Sequence, residues 1–295
     1  MNAQRSIVEI ALRPQLPRGR YVELPGRGRT FIRELDGPPG APTVVLLHGW
    51  FASGALNWFQ VFDDLGSRYH VIAPDHRGHA RGLRTSGRFR LADCADDVAA
   101  LIDVLGLDRP IVVGYSMGGP IAQLLWHRHP DRVGALVFAA TAAGFVPGTR
   151  ERIVYNTMMA SVVGAARAGQ AVARTTAVPG AVMPLVRRSR RLSTLPNWAA
   201  REFRRHDWRM LLEAGHALGT YHARWISDVD VPTSVVLTTQ DNSVAPHLQD
   251  RLASSIADAS VFEVADGHAV CAKASFAPPL ALAVDDVAGR LLVAR

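Results

Sequence analysis

Ser116 stands in the run Gly114-Tyr115-Ser116-Met117-Gly118-Gly119, directly after the β-branched stretch Ile111-Val112-Val113. A serine between glycines where a strand turns into a helix forms a G-x-S-x-G elbow, which lifts a hydroxyl clear of the sheet as a nucleophile. Side chains at 114 or 118 would clash in so tight a turn, so small residues are required there. Beyond it, Ile121, Leu124 and Leu125 repeat at helical spacing, with Gln123 and Arg128 on other faces. Pro120 is tolerated in the first turn, where its missing N–H has no intrahelical partner to lose. The helix therefore begins beside Ser116, and its free N–H groups and positive dipole end face the hydroxyl. The backbone N–H of Met117 is the first donor available to a negative oxygen formed there.

A nucleophilic serine needs a base within hydrogen-bond reach, and the base needs an acid to orient it. Asp241 follows the apolar segment Thr233–Thr238, and His268 follows Ser260–Val264 in the loop Asp266-Gly267-His268. Rivals are weaker: Asp250 falls in a helical pattern, and Asp266 is so near His268 that capping its own loop suits it better. Asp75, among His76, Arg77 and His79, suits a structural ion pair, and the strand end Ala139-Ala140-Thr141 offers no carboxylate. His48 precedes a glycine turn and shapes it, while His127, His129, His206, His216 and His222 fall in helical stretches. The turn His48-Gly49-Trp50 follows the apolar strand Thr43–Leu47 and brings the Trp50 N–H beside that of Met117. Two such donors would hold a tetrahedral oxyanion.

These residues need a frame. Arg20–Leu24 and Thr30–Leu35 read as a hairpin at a sheet edge, and Thr43–Leu47 and Tyr69–Ala73 read as strands. Ala92–Leu105 is helical by period, with Asp93 as its cap and Gly106 as its stop. Strands Ile111–Val113, Ala135–Ala139, Thr233–Thr238 and Ser260–Val264 then alternate with helices around His247–Ile256 and Pro279–Leu292. That order implies an α/β fold with a mostly parallel sheet covered on both faces. Residues 143–227 break the alternation with short helical patterns, Pro179, Pro184 and the basic run Arg187-Arg188-Ser189-Arg190-Arg191. They read as a helical cap over the strand ends, where ligands sit in open α/β sheets, inserted into a core of residues 1–142 and 228–295.

Composition narrows the setting. Between Arg150 and Asp228 there are 13 arginines against five acids, while the whole chain carries a net charge of +7. A surplus held in the cap would draw an anionic substrate or bring the protein transiently to an anionic membrane surface. Lys273 is the only lysine, so a general arginine bias explains the surplus equally well. No nucleic-acid module accompanies the charge. No stretch of about 18 apolar residues would span a membrane, and Met1–Arg20 lacks the apolar core of a signal peptide. Cys94 and Cys271 lack metal-ligand spacing and suit a reducing, cytoplasmic setting as small buried groups. Nothing in the motifs implies a metal or a cofactor.

Taken in order, His48-Gly49, Asp75-His76-Arg77-Gly78-His79, Gly114–Gly119, Asp241 and Gly267-His268 resemble the α/β-hydrolase superfamily along nearly the whole chain. Within it, the chain resembles the capped bacterial serine hydrolases that include esterases and lipases. The resemblance implies an eight-stranded sheet, an inserted helical cap and an acyl-serine intermediate. Ser116 departs from the aspartate nucleophile of haloalkane dehalogenases and epoxide hydrolases. The expected substrate is a small acyl or aromatic ester. Open alternatives are a carbon–carbon bond hydrolase or a menaquinone-pathway-like lyase acting on a carboxylate-bearing substrate, and a non-catalytic ligand receptor on the same fold.

Overall fold

The computed structural model describes residues 14–146, 153, 156–161, 163–164 and 194–293. Its centre is one sheet of eight strands: β1 (Arg18–Leu24), β2 (Gly28–Leu35), β3 (Thr43–Leu47), β4 (His70–Pro74), β5 (Ile111–Tyr115), β6 (Ala135–Ala139), β7 (Thr233–Thr238) and β8 (Ser260–Val264). Their spatial order is β1-β2-β4-β3-β5-β6-β7-β8. The β1–β2 hairpin pairs antiparallel, as does β2 with β4, and every other neighbouring pair is parallel. The central strands are wholly apolar because both of their faces are covered.

Besides the helical residues 156–161, eight helices accompany the strands among the described residues: α1 (Gly54–Trp58), α2 (Phe62–Gly66), α3 (Leu91–Leu105), α4 (Gly118–Arg128), α5 (Leu195–Phe203), α6 (Trp208–Thr220), α7 (Pro246–Ser254) and α8 (Ala277–Val293). Strand alternation divides the core between two layers. Val45 and Leu47 of β3 pack in one buried cluster with Val98 of α3, Ile121 and Leu125 of α4 and Leu252 of α7. Val44 and Leu46 point the other way, into a cluster with Trp58, Phe62 and Leu65 of α1 and α2 and Val284 and Val287 of α8. Burying Leu-sized groups on both faces is worth roughly 1.5–3 kcal/mol per side chain, which makes this sheet a stiff platform.

Two local expectations are corrected. Asp93 does not cap α3; Arg90 holds the N-cap position without a side-chain bond, and Asp93 lies in the first turn, where its carboxylate accepts from Arg77 Nη1 at 3.3 Å. His206 and His222 are not helical. His206 sits in the turn between α5 and α6, and His222 forms an antiparallel bridge with Gly144.

That bridge, with the Ala223 N–H donating to Ala143 O at 2.8 Å, joins the start and end of the excursion between β6 and β7. Within it, residues 156–161 are helical and α5 and α6 follow. The Arg187–Arg191 run, Pro179 and Pro184 lie outside the described residues. No described helix is long and apolar enough to cross a membrane. Cys94 is buried and Cys271 half-buried, and neither forms a disulfide; burial pushes both thiols up, Cys271 to about 11.

The junction of β5 and α4 is the tightest packing in the sheet. A Cβ on Gly118 would stand 2.0 Å from Leu47 O, and one on Gly114 would stand 2.5 Å from Gly118 O. Both obstacles are backbone and cannot swing aside. Gly118→Ala should therefore destabilise the protein by roughly 3 kcal/mol or more, as overpacking against fixed atoms does. Urea unfolding would measure it; a loss below about 1 kcal/mol would show that the elbow can relax.

Candidate active site

The elbow holds Ser116 at φ = 50°, a left-handed conformation that few non-glycine residues adopt. Neighbouring elements fix it there. The Ser116 N–H donates to Ala139 O at 3.0 Å, while Ser116 O accepts from Gly119 N at 2.9 Å and from Thr141 Oγ1 at 2.7 Å. The serine is 8% exposed, so its hydroxyl looks into a recess rather than open solvent.

His268 and Asp241 arrive from two other loops. His268 Nε2 lies 2.9 Å from Ser116 Oγ, and His268 Nδ1 lies 2.7 Å from Asp241 Oδ2. The structure thus brings together three side chains spread over more than half the sequence. Asp241 leaves the end of β7 and is locked by its surroundings. Its Oδ1 accepts the N–H groups of Ser243 at 2.8 Å and Val244 at 2.9 Å, and its Oδ2 accepts the Thr238 hydroxyl at 2.9 Å. Burial alone would raise this carboxyl, but the His268 hydrogen bond and the two backbone amides outweigh it and hold it below the ordinary carboxylate range. A charged Asp241 keeps a proton on Nδ1 and leaves Nε2 as the acceptor for the serine. The Tyr115 hydroxyl donates to His268 O, which fixes the loop from beneath.

The loop after β3 meets the elbow from the opposite side. A Cβ on Gly49 would stand 3.2 Å from Ser116 Cβ, so the Trp50 backbone passes directly beside the nucleophile. The Gly49 N–H donates to Asn57 Oδ1 at 2.9 Å. His48, fully buried, accepts the His76 N–H on Nε2 at 3.0 Å and therefore donates from Nδ1 to Gly49 O at 2.8 Å. The expectation that His48 shapes this turn matches that geometry. Trp50 does not simply line the recess. Its indole donates to Leu211 O at 2.9 Å and packs under α6, so close that a Cβ on Gly215 would stand 2.6 Å from the ring.

This arrangement separates backbone from side chain. Trp50→Phe should remove one hydrogen bond and some packing, costing roughly 1–3 kcal/mol of stability, while kcat changes less than about ten-fold. A hundred-fold loss of kcat at unchanged Tm would instead give the indole itself a chemical role.

Among the described residues, Asp75 forms no ion pair. Its carboxylate accepts the N–H groups of Gly54 at 2.8 Å and Arg81 at 3.0 Å, and burial pushes it up to about 6. The ion pair in that motif belongs to Arg77, which grips Asp97 with Nε and Nη2, both at 2.7 Å. Asp266 does cap its own loop, accepting from Gly267 N and pairing with Lys273 at 2.7 Å. Asn57, Thr141, Tyr115 and Gln249 were missed by the sequence reading. Asn57 and Tyr115 are polar groups on otherwise apolar elements, the one signal that could have marked them, whereas Thr141 follows β6 and Gln249 sits in the polar helix α7. The three residues Glu34, Asp36 and His70 are the described cluster with metal-ligand proximity, and they lie on the β2–β4 edge, away from Ser116.

A family model described as alpha/beta hydrolase fold matches residues 42–273. A protein of Caulobacter sp. (strain K31) named "Putative carbamate hydrolase RutD" is 39% identical over 107 residues, which are 35% of this chain and 40% of that protein. Epoxide hydrolase B of Mycobacterium tuberculosis (strain ATCC 25618 / H37Rv) is 33% identical over 133 residues, 42% of this chain and 37% of that protein. The matches thus span about two-fifths of these curated relatives. Among solved structures, an esterase from Exiguobacterium antarcticum has a TM-score of 0.70 at 17% identity, covering 93% of this chain and 100% of that one. The enol-lactonase from Burkholderia xenovorans LB400 has a TM-score of 0.63 at 22% identity, covering 93% and 100%.

Proposed function

The chain belongs to the alpha/beta hydrolase family, and we propose that within it the protein is a serine hydrolase cleaving small acyl or aromatic carboxylic esters. The observation that carries this reading is the unbroken chain of contacts from Ser116 Oγ through His268 to Asp241, at 2.9 and 2.7 Å. His268 Nε2 takes the Ser116 proton as Oγ attacks the acyl carbon, and Asp241 stabilises the imidazolium. The N–H groups of Trp50 and Met117 hold the oxyanion of the tetrahedral intermediate. Collapse breaks the ester bond, and His268 returns its proton to the departing alkoxide. A water deprotonated by His268 then attacks the acyl-serine and releases the acid.

Serine at the nucleophile position argues against epoxide opening, whose family members use aspartate there. Phe51 stacked on Phe203 at 5.8 Å and Phe59 against Trp198 at 5.6 Å join the segments after β3 and α1 to α5 through aromatic rings, a composition that suits an apolar acyl or aryl group. Among the described cap arginines, Arg209 gives little support to a carboxylate-bearing substrate. Arg209 is tied to Glu213 at 3.0 Å and to the carbonyls of Thr85 and Gly87. The relatives named as carbamate hydrolases favour one second reading, because a carbamate presents the same carbonyl to the same serine.

A panel of p-nitrophenyl esters of increasing acyl length, with an aryl carbamate alongside, tests the proposal. Saturable release of p-nitrophenol from at least one ester is expected. Carbamate turnover without ester turnover would move the assignment to the second reading. Folded protein that turns over neither, yet gains melting temperature with a bound ester, would indicate a receptor.

A further inference from the structure

A second concentration of chemistry lies on the far side of the Asp75 loop. There a cleft of about 500 Å³ opens between the β1–β2 hairpin, the 80–84 loop and the turn after α5. Tyr21, Arg29, Arg81, Arg84 and Arg205 face into it, and among the described residues no carboxylate lines it.

The four guanidinium groups are unequally compensated. Arg81 is neutralised by a two-pronged pair with Glu202, at 2.7 and 2.8 Å. Arg205 lies 3.8 Å from the same Glu202, which is already spent on Arg81. Arg84 donates to the carbonyls of Gly82, Ala80 and Arg205 and forms no ion pair among the described residues, with Asp207 and Asp75 acting on it only through space. Arg29 lies 4.6 Å over the Tyr21 ring, and its cross-strand neighbour Glu23 forms no ion pair with it among the described residues. Among the described residues only Glu202 forms an ion pair with any of these four cations, and no carboxylate lines the concave wall. Clustered like charges raise the local potential and cost energy until an anion relieves them. Planar guanidinium forks match tetrahedral oxyanions better than any other side chain.

We infer that this cleft binds a phosphate group, held by Arg29, Arg84 and Arg205 and capped by the Tyr21 hydroxyl. The site is separate from the Ser116 recess and does not depend on the chemistry proposed there. It lies where the cap meets the core, since Arg81 bonds to Glu202 of α5 through its side chain and to Asp75 through its backbone N–H. A ligand here would therefore brace the two against each other. The phosphate can come free in solution or as the headgroup of an anionic lipid, and exposed Phe203 and Trp208 stand on the neighbouring cap surface.

Calorimetric titration with inorganic phosphate, and co-sedimentation with phosphatidylglycerol against phosphatidylcholine vesicles, test this in the intact chain. Wild type and Arg29→Gln/Arg205→Gln are compared. Each lost charge-assisted contact should weaken binding about ten-fold. Arg29→Gln alone serves if the double variant no longer melts cooperatively, because Arg29 touches only a ring. Saturable binding of free phosphate that weakens in the variants supports a soluble ligand. Sedimentation with phosphatidylglycerol vesicles alone, lost in the variants, supports a headgroup. Binding of neither probe, or binding that the substitutions leave unchanged, overturns the inference.

Discussion

Ser116→Ala should lower kcat for the best ester by about 10⁴- to 10⁶-fold while leaving stability within about 1 kcal/mol of the parent. The reason lies in the geometry: Oγ is the atom that His268 Nε2 approaches at 2.9 Å, and the backbone bonds that hold the elbow do not involve it. Asp241→Asn should cost about 10⁴-fold, because an amide at that position favours the wrong imidazole tautomer. The two losses should not add when combined, since the residues act as one unit. Steady-state kinetics paired with urea unfolding would check this. A loss of only ten-fold in Ser116→Ala would place the nucleophile elsewhere.

Acid should unfold this protein unusually early. Four buried histidines, His48, His76, His79 and His206, lie in a row, with ring centroids 4.3 Å apart for His48–His76, 5.3 Å for His48–His79 and 5.4 Å for His79–His206. Burial holds all four below the ordinary imidazole range, His76 at about 3 and His206 at about 4. The unfolded chain takes up protons on these rings below pH ~6.5, whereas the folded one does not. Stability is therefore complete above that pH and falls as pH drops toward the folded values. Each ring contributes about 1.4 kcal/mol per pH unit over that window. Asp75 opposes the trend by one proton between its unfolded value and its folded value of about 6. The net slope is about 4 kcal/mol per pH unit, so a stability of 5–15 kcal/mol would be exhausted at roughly pH 3–5. Urea unfolding between pH 7.5 and 5 (roughly the window of one histidine's titration) reads the slope directly. His76→Phe, which removes an Nε2 without a partner among the described residues, should flatten it by about one proton. A flat profile across that window would contradict the account.

The fold was legible because its signals were strong and local. Unbroken apolar strands such as Thr43–Leu47 and the glycine-flanked elbow leave few conformations open, and both match the structure. The meeting of Ser116, Asp241 and His268 was legible from chain order and strand ends. The helix cap at Arg90 was not, because Asp93 is a good cap residue that tertiary pairing with Arg77 draws into the first turn instead. Asp75 misled for a similar reason: its carboxylate accepts from the backbone N–H groups of Gly54 and Arg81, which no side-chain pattern encodes. The histidine row was invisible for want of topology, since His206 reaches it from the excursion between β6 and β7, across 126 positions, to accept the Ala80 N–H.

Covalent capture of the serine is the most direct examination of the central idea. Native protein treated with a fluorophosphonate should gain the mass of one phosphonyl adduct, mapped to Ser116, at a rate that Asp241→Asn sharply reduces. Unreacted native protein, or an adduct on any other residue, would contradict the proposed relay.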